Sequence, residues 1–160
     1  MRLKSNTLDN LFGEQTFDLI KIDTQGSEVD ILKGGSNLIS RCQYIILETS
    51  LTNYNLNAPL VGEVLNFMKT INYKMIDIIE LHYIDNKLVQ IDILFQNNII
   101  YDRIEYGNSY DKELILNLLK ENKFNRVLDI GPAYNFWTKE YVKHTIDINK
   151  REYADNVTEF

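Results

Sequence analysis

The sequence predicts an α/β fold in which a mostly parallel β-sheet ends in an antiparallel hairpin. Residues 17–35 are typical of a strand, a tight turn and a helix, because an apolar run is followed by Asp-Thr-Gln-Gly and then by apolar residues at helical spacing. Residues 43–49 form the next strand, whose continuous apolar run indicates cover on both faces. Two further strands, 74–84 and 88–96, are joined by a short polar turn and therefore predict the hairpin.

Two helices are expected between these strands. The first spans about 27–40 and is interrupted at Gly34-Gly35, because adjacent glycines disfavour a continuous helix. Ser27 is expected to cap its start. The second begins near Pro59, which suits a first helical turn, and runs to about Tyr73.

Composition restricts the class of protein. The chain has 160 residues, enough for one domain with a real core, and its net charge of −6 argues against a nucleic-acid groove or an anionic membrane surface. No apolar run reaches the roughly 18 residues of a spanning helix, and no signal peptide is evident. The single cysteine excludes an internal disulfide and a cysteine zinc cluster. We therefore expect a cytoplasmic protein without nucleic-acid or membrane partners.

Polar residues lie at the carboxyl ends of the first two predicted strands, about 18–22 and 43–49. In an open parallel sheet, ligands bind at the carboxyl ends of the strands. The residues after the first strand are Asp23, Gln25, Gly26 and Glu28. Glu48 ends the second strand and is expected at the same edge. An ordinary turn with a capping acid, and a solvated acid at a strand end, are the alternative interpretations.

Several segments of the first part keep a fixed order. Residues 21–28 read KIDTQGSE and residues 31–35 read ILKGG, and they are followed by segments at 44–50, 54–60 and 90–95. Together these segments resemble the carboxyl half of the FkbM-type family of S-adenosylmethionine (SAM)-dependent methyltransferases, over about residues 5–97. The resemblance implies a Rossmann-like class I methyltransferase sheet that ends in the antiparallel hairpin, 74–96.

A second unit follows, at about 110–150. Its strand reads VLDIG over 127–131 and resembles the first motif of class I methyltransferases, in which the strand end and its loop hold SAM. Asp147 ends the next strand, where an acid can accept hydrogen bonds from ribose hydroxyls. Pro132 in the loop removes a backbone donor, and a generic βαβ unit is the alternative. The predicted SAM-binding residues are Asp129, Gly131, Asp147, Gln25 and Gly26.

Residues 98–109 show neither the helical nor the strand periodicity of apolar residues and are interpreted as a linker. They separate an FkbM-like carboxyl half, 1–97, from an incomplete amino-terminal unit, 110–160. Three arrangements remain open. The chain is a fragment or fusion of two methyltransferases; or it is a circular permutant, in which the second unit supplies the first two strands beside strand 18–22; or each part pairs with another chain, either a complementing chain or a second copy.

The predicted function is SAM-dependent methyl transfer to a hydroxyl of a sugar, a glycan or another small acceptor. Asp23 or Glu28 orients or deprotonates the hydroxyl, and Glu48, the third catalytic candidate, shapes the acceptor side together with Tyr54. A catalytically inactive or truncated remnant that acts as a binding or partner module is one alternative. A nucleotide-sugar or dinucleotide enzyme is another. No metal site is predicted, since His82 and His144 have no ligands at metal spacing in the sequence.

Overall fold

The computed structural model describes residues 6–53, 58–101, 126–130 and 144–146. Short helices and longer strands alternate through these residues. In chain order the elements are α1 (Leu8–Phe12), β1 (Leu19–Ile22), α2 (Glu28–Gly34), α3 (Ser36–Ser40), β2 (Tyr44–Ser50), α4 (Val61–Thr70), β3 (Tyr73–Ile84), β4 (Lys87–Asn97), α5 (Asn98–Tyr101), β5 (Val127–Ile130) and β6 (His144–Ile146). No helix in these parts of the chain is long and apolar enough to cross a membrane.

The strands form one mixed sheet in the order β3-β4-β2-β1-β5-β6. β1 runs parallel to β2 and β5, and β5 runs parallel to β6, whereas β4 is antiparallel to both β2 and β3. The predicted α/β class and the hairpin are thus confirmed. The mostly parallel, Rossmann-like arrangement is not confirmed, because the two long hairpin strands place most of the paired residues in antiparallel ladders.

β5 completes the hydrogen bonding of β1 on the side away from β2. Leu19 pairs with Val127 and Ile22 with Ile130, and the Asp23 amide donates to the Ile130 carbonyl at 2.7 Å. This is the strand pairing that the permuted arrangement predicts. The division of the chain at 98–109 stays a prediction, because residues 102–125 lie outside the described residues.

The two faces of the sheet differ in chemistry because side chains alternate along each strand. One face is apolar and packs on residues of the helices. Its strand residues include Ile20, Ile22, Ile45, Leu47, Ile93 and Phe95, and the helices contribute Leu32, Leu38, Val64 and Met68. Lys21, Glu48 and Asp92 lie at the alternate positions and are also buried. These three charged residues of β1, β2 and β4 therefore lie on the face opposite this core.

The start of α2 differs from the prediction. Ser27 makes no side-chain capping hydrogen bond. Instead, Oε1 of Glu28 accepts hydrogen bonds from the Thr24 amide at 3.0 Å, the Thr24 hydroxyl at 3.1 Å and the Gly26 amide at 3.0 Å. The longer glutamate side chain reaches back into the turn and satisfies donors there, so the expected role of Ser27 is wrong.

The break between α2 and α3 and the hairpin turn agree with the sequence prediction. α2 ends at Gly34 and α3 begins at Ser36. A Cβ on Gly35 would lie 2.9 Å from Leu8 Cβ, so glycine there permits the close packing of α1. β3 and β4 are joined by Asp85 and Asn86, with φ of 48° and 62°. Two successive positive φ values are typical of a type I′ turn, which matches the twist of hairpin strands.

The reactivity of Cys42 tests whether the core around it is closed to solvent in the folded chain. The thiol is fully buried and donates to the Tyr44 carbonyl at 3.1 Å, and burial raises its pKa far above the ordinary value. Because thiol reagents attack the thiolate, we expect very slow labelling of the native protein by Ellman's reagent at pH 8. The unfolded chain in urea should react quickly with one equivalent, since it contains one cysteine. Rapid stoichiometric labelling without urea would contradict the buried placement.

Candidate active site

A network of polar side chains lies at the carboxyl edge of β1 and β2 and continues onto the hairpin. It joins residues from four neighbouring strands and from the turn after β1. Its members are Lys21, Asp23, Gln25, Glu48, His82, Gln90 and Asp92. Gln25 is exposed and His82 is half-buried, whereas the other members are buried. The network therefore extends from the interior of the sheet to the surface.

Lys21 is the centre of this network. Its side chain is completely buried, and its Nζ lies 3.3 Å from Asp23 Oδ2 and 3.3 Å from Asp92 Oδ2. A buried ammonium group is costly unless it is paired, and here two carboxylates surround it. Lys21 thus ties β1 to β4 across the intervening strand β2.

Two glutamine amides position Glu48. Gln25 Nε2 donates to Glu48 Oε1 at 2.6 Å and to Asp23 Oδ1 at 3.2 Å, and Gln90 Nε2 also donates to Glu48 Oε1. Gln25 has a left-handed backbone with a φ of 59°. This conformation is uncommon for a residue other than glycine, and it indicates that the turn is constrained.

His82 lies against Asp92 on the hairpin. His82 Nε2 and Asp92 Oδ1 are 3.0 Å apart, and Asp92 is in direct register with Glu48 of β2. A carboxylate, an imidazole and a second carboxylate therefore occupy neighbouring positions on three adjacent strands. Their ligand atoms all lie within 4.8 Å of one another, close enough to be considered for a metal ion.

The carboxyl groups of this network differ in acidity. Burial, together with the negative charges of Asp23 and Asp92, raises the pKa of Glu48 to about 7. Burial also acts to raise the pKa of Asp92, but the hydrogen bond to His82 and the charge of Lys21 outweigh burial and hold that pKa below its ordinary value. The hydrogen bond to Asp92 raises the pKa of His82. The pair thus favours an ionised Asp92 beside a protonated His82.

The structure brings some of the predicted site residues together. Asp23, Gln25 and Glu48 belong to one hydrogen-bonded group. Gly26 lies in the adjoining turn and Glu28 begins α2, and the Glu28 carboxylate accepts a hydrogen bond from the Gly26 amide. Gly26 has a φ of 121°, and a Cβ there would lie 2.9 Å from Ala58 Cβ. This position therefore requires glycine.

The predicted SAM residues of the second unit are described only in part. Asp129 lies in β5, in register with Lys21 of β1, but nothing is described of its side chain. Gly131 and Asp147 lie outside the described residues, as does Tyr54 of the predicted acceptor side. The roles of these residues stay predictions.

Sequence reasoning missed four members of the network, which are Lys21, His82, Gln90 and Asp92. His82 has no ligand at metal spacing in the sequence, but the pairing of β3 with β4 brings Asp92 to within 3.0 Å of it. A signal was present in β4, where Gln90 and Asp92 alternate with apolar residues. A lysine inside the apolar run of β1 was a second signal, since lysine is rarely buried without a partner.

Comparison with known proteins gives one result. Residues 1–75 match the family model of the methyltransferase FkbM domain. The matched part is a little under half of the chain and contains β1, β2 and the residues from Asp23 to Glu48. No curated protein and no solved structure matches the chain. The resemblance to a partial FkbM-type domain is thus confirmed for residues 1–75, and the assignment of the later unit stays a prediction.

Replacing Lys21 tests its central role in the network. We expect Lys21→Met to lower the free energy of unfolding by about 3–5 kcal/mol, because Asp23 and Asp92 lose the buried cation between them. Urea denaturation monitored by circular dichroism at pH 7 measures the change.

The matched control is Lys33→Met, which removes an exposed pair with Asp30 on α2. Exposed ion pairs contribute little, so its loss should be much smaller. Equal losses in the two variants would contradict the central role of Lys21.

Proposed function

We propose that this chain is a SAM-dependent methyltransferase that acts on a hydroxyl group of a sugar or another small acceptor. The observation that carries the proposal is the match of residues 1–75 to the methyltransferase FkbM domain. The polar network at the ends of β1 and β2 supports it, since this edge of an α/β sheet is where ligands bind. The network also offers both donors and acceptors, as a hydroxylated acceptor requires.

The cofactor is assigned to residues at the carboxyl end of β5 and directly after β5 and β6 in the sequence, in a Rossmann-like sheet of permuted order. Asp129 and Gly131 would hold the methionine part of SAM, and Asp147 would accept hydrogen bonds from the ribose. The hydrogen bond from the Asp23 amide to the Ile130 carbonyl supports this assignment, because it puts the carboxyl ends of β1 and β5 at the same edge of the sheet. SAM, when bound, supplies the methyl group on its sulfonium sulfur.

The residues around Asp23 orient the acceptor. Lys21 Nζ holds one oxygen of Asp23 and Gln25 Nε2 holds the other, so this carboxylate has a fixed direction. Asp23 receives the hydrogen bond of the acceptor hydroxyl and takes its proton during transfer. Glu28 keeps the turn in place through its three hydrogen bonds and acts as a positioning residue. Glu48 lies on the acceptor side, where Gln25 and Gln90 direct its carboxyl group.

Titration with S-adenosylhomocysteine tests the cofactor assignment. We expect the purified chain to bind this product in a calorimeter with one site per chain. Asp147→Ala should abolish the heat signal while leaving the melting temperature unchanged, because the hydrogen bonds to the ribose are lost. Asp30→Asn, which alters an exposed carboxylate on α2, should bind as the unaltered chain does. A folded chain that binds no S-adenosylhomocysteine would overturn the proposal and favour a binding or partner module.

Replacing Asp23 tests the role assigned to it. We expect Asp23→Asn to lower methyl transfer by about 100-fold or more, because the amide cannot take the hydroxyl proton. Incorporation of the labelled methyl group of SAM into a panel of sugars measures the change. Binding of S-adenosylhomocysteine should persist in this variant. A fall in melting temperature as large as that of Lys21→Met would instead make Asp23 a structural residue.

A further inference from the structure

We propose that Glu48, His82 and Asp92 bind a divalent transition-metal cation. The three residues lie on β2, β3 and β4, which are neighbours in the sheet. Glu48 and Asp92 face each other in the register of β2 and β4, and His82 approaches Asp92 from the other side. The site is thus built on three rigid strands rather than on a loop.

The distances suit a single ion. One ligand atom from each residue can be chosen so that all three lie within 4.8 Å of one another. Bonds of about 2.0–2.2 Å to one ion hold ligand atoms no more than about 4.4 Å apart. Small rotations of the three side chains therefore bring their atoms to coordination distance.

Neighbouring side chains orient the ligands. Lys21 Nζ holds Oδ2 of Asp92, which leaves Oδ1 directed at His82. Gln25 and Gln90 both donate to Oε1 of Glu48 and fix its carboxyl group. Partners of this kind, which hydrogen-bond to ligands without touching the ion, are a regular part of metal sites.

Charge and access also favour a cation at this place. Asp23, Asp92 and Glu48 bring three carboxyl groups to the single ammonium group of Lys21, and a dication between Glu48 and Asp92 offsets the repulsion that remains when both are ionised. The His82 side chain is 33% exposed, so the ion has a route from solvent. The ion takes the place of the proton on the ligating nitrogen of His82, and this proton is released to solvent. One imidazole nitrogen with two carboxylate oxygens suits ions such as Mn²⁺, Fe²⁺ or Zn²⁺, and three protein ligands leave coordination positions open. Binding at this site does not depend on the proposed methyl transfer.

Nuclear magnetic resonance of the histidines tests the site, with Zn²⁺ as the probe and no SAM present. The chain contains two histidines, so a His144→Gln variant assigns their imidazole signals. In the metal-depleted full chain we expect Zn²⁺ to shift the ring signals of His82 in a saturable manner, with one ion per chain. The signals of His144 should stay in place. No shift of His82 at about 1 mM Zn²⁺, or a shift of His144 alone, would overturn the proposal.

Calorimetry with variants identifies the ligands. We expect Asp92→Asn and His82→Gln each to weaken Zn²⁺ binding at least tenfold, because each removes a ligand atom. Asp30→Asn is the matched carboxylate-to-amide control and should bind as the unaltered chain does. His82 is partly exposed, so His82→Gln decides the matter if Asp92→Asn does not fold. Unchanged Zn²⁺ affinity in a folded His82→Gln variant would overturn the proposal.

Discussion

The candidate site depends on the burial of one lysine. Lys21 stands in the middle of β1 with no exposed side-chain surface, and the carboxylates of Asp23 and Asp92 lie on either side of it. A buried ammonium group requires anions nearby. One of these anions, Asp92, lies 3.0 Å from His82 and is in register with Glu48. The position of the polar network thus follows from one charge inside an otherwise apolar strand.

The elements that sequence reasoning predicted well are those with strong local signals. The hairpin, the break at Gly34-Gly35 and the strands β1 and β2 each follow from periodicity or from residues with special backbone preferences. Ser27 was predicted to cap α2 because serine is common at helix starts. The carboxylate of Glu28 instead bonds to the amides of the turn, and this depends on side-chain geometry that residue type does not specify.

The members of the site were harder to predict because their contacts are not local. Asp23 and Glu48 were found by the rule for strand ends, which needs only the order of strands. The pairing of His82 with Asp92 depends on the register of β3 against β4, and that register shifts at three places along the ladder. The sequence of β4 shows that polar and apolar residues alternate, but this alternation does not predict which residue of β3 lies opposite each residue of β4. The register of β3 against β4 therefore could not be predicted from the sequence alone.

The pairing of β1 with β5 has a consequence for how the chain folds. Asp18, just before β1, accepts a hydrogen bond from the Arg126 amide across 108 positions of sequence. Contacts of such long range close slowly, because a large loop must be ordered before any of them forms. During synthesis, β1 leaves the ribosome long before β5 has been made. The backbone groups of β1 that later pair with β5 can bond to other chains in that interval. Production of the protein is thus expected to respond to translation speed and to chaperones that cover nascent strands.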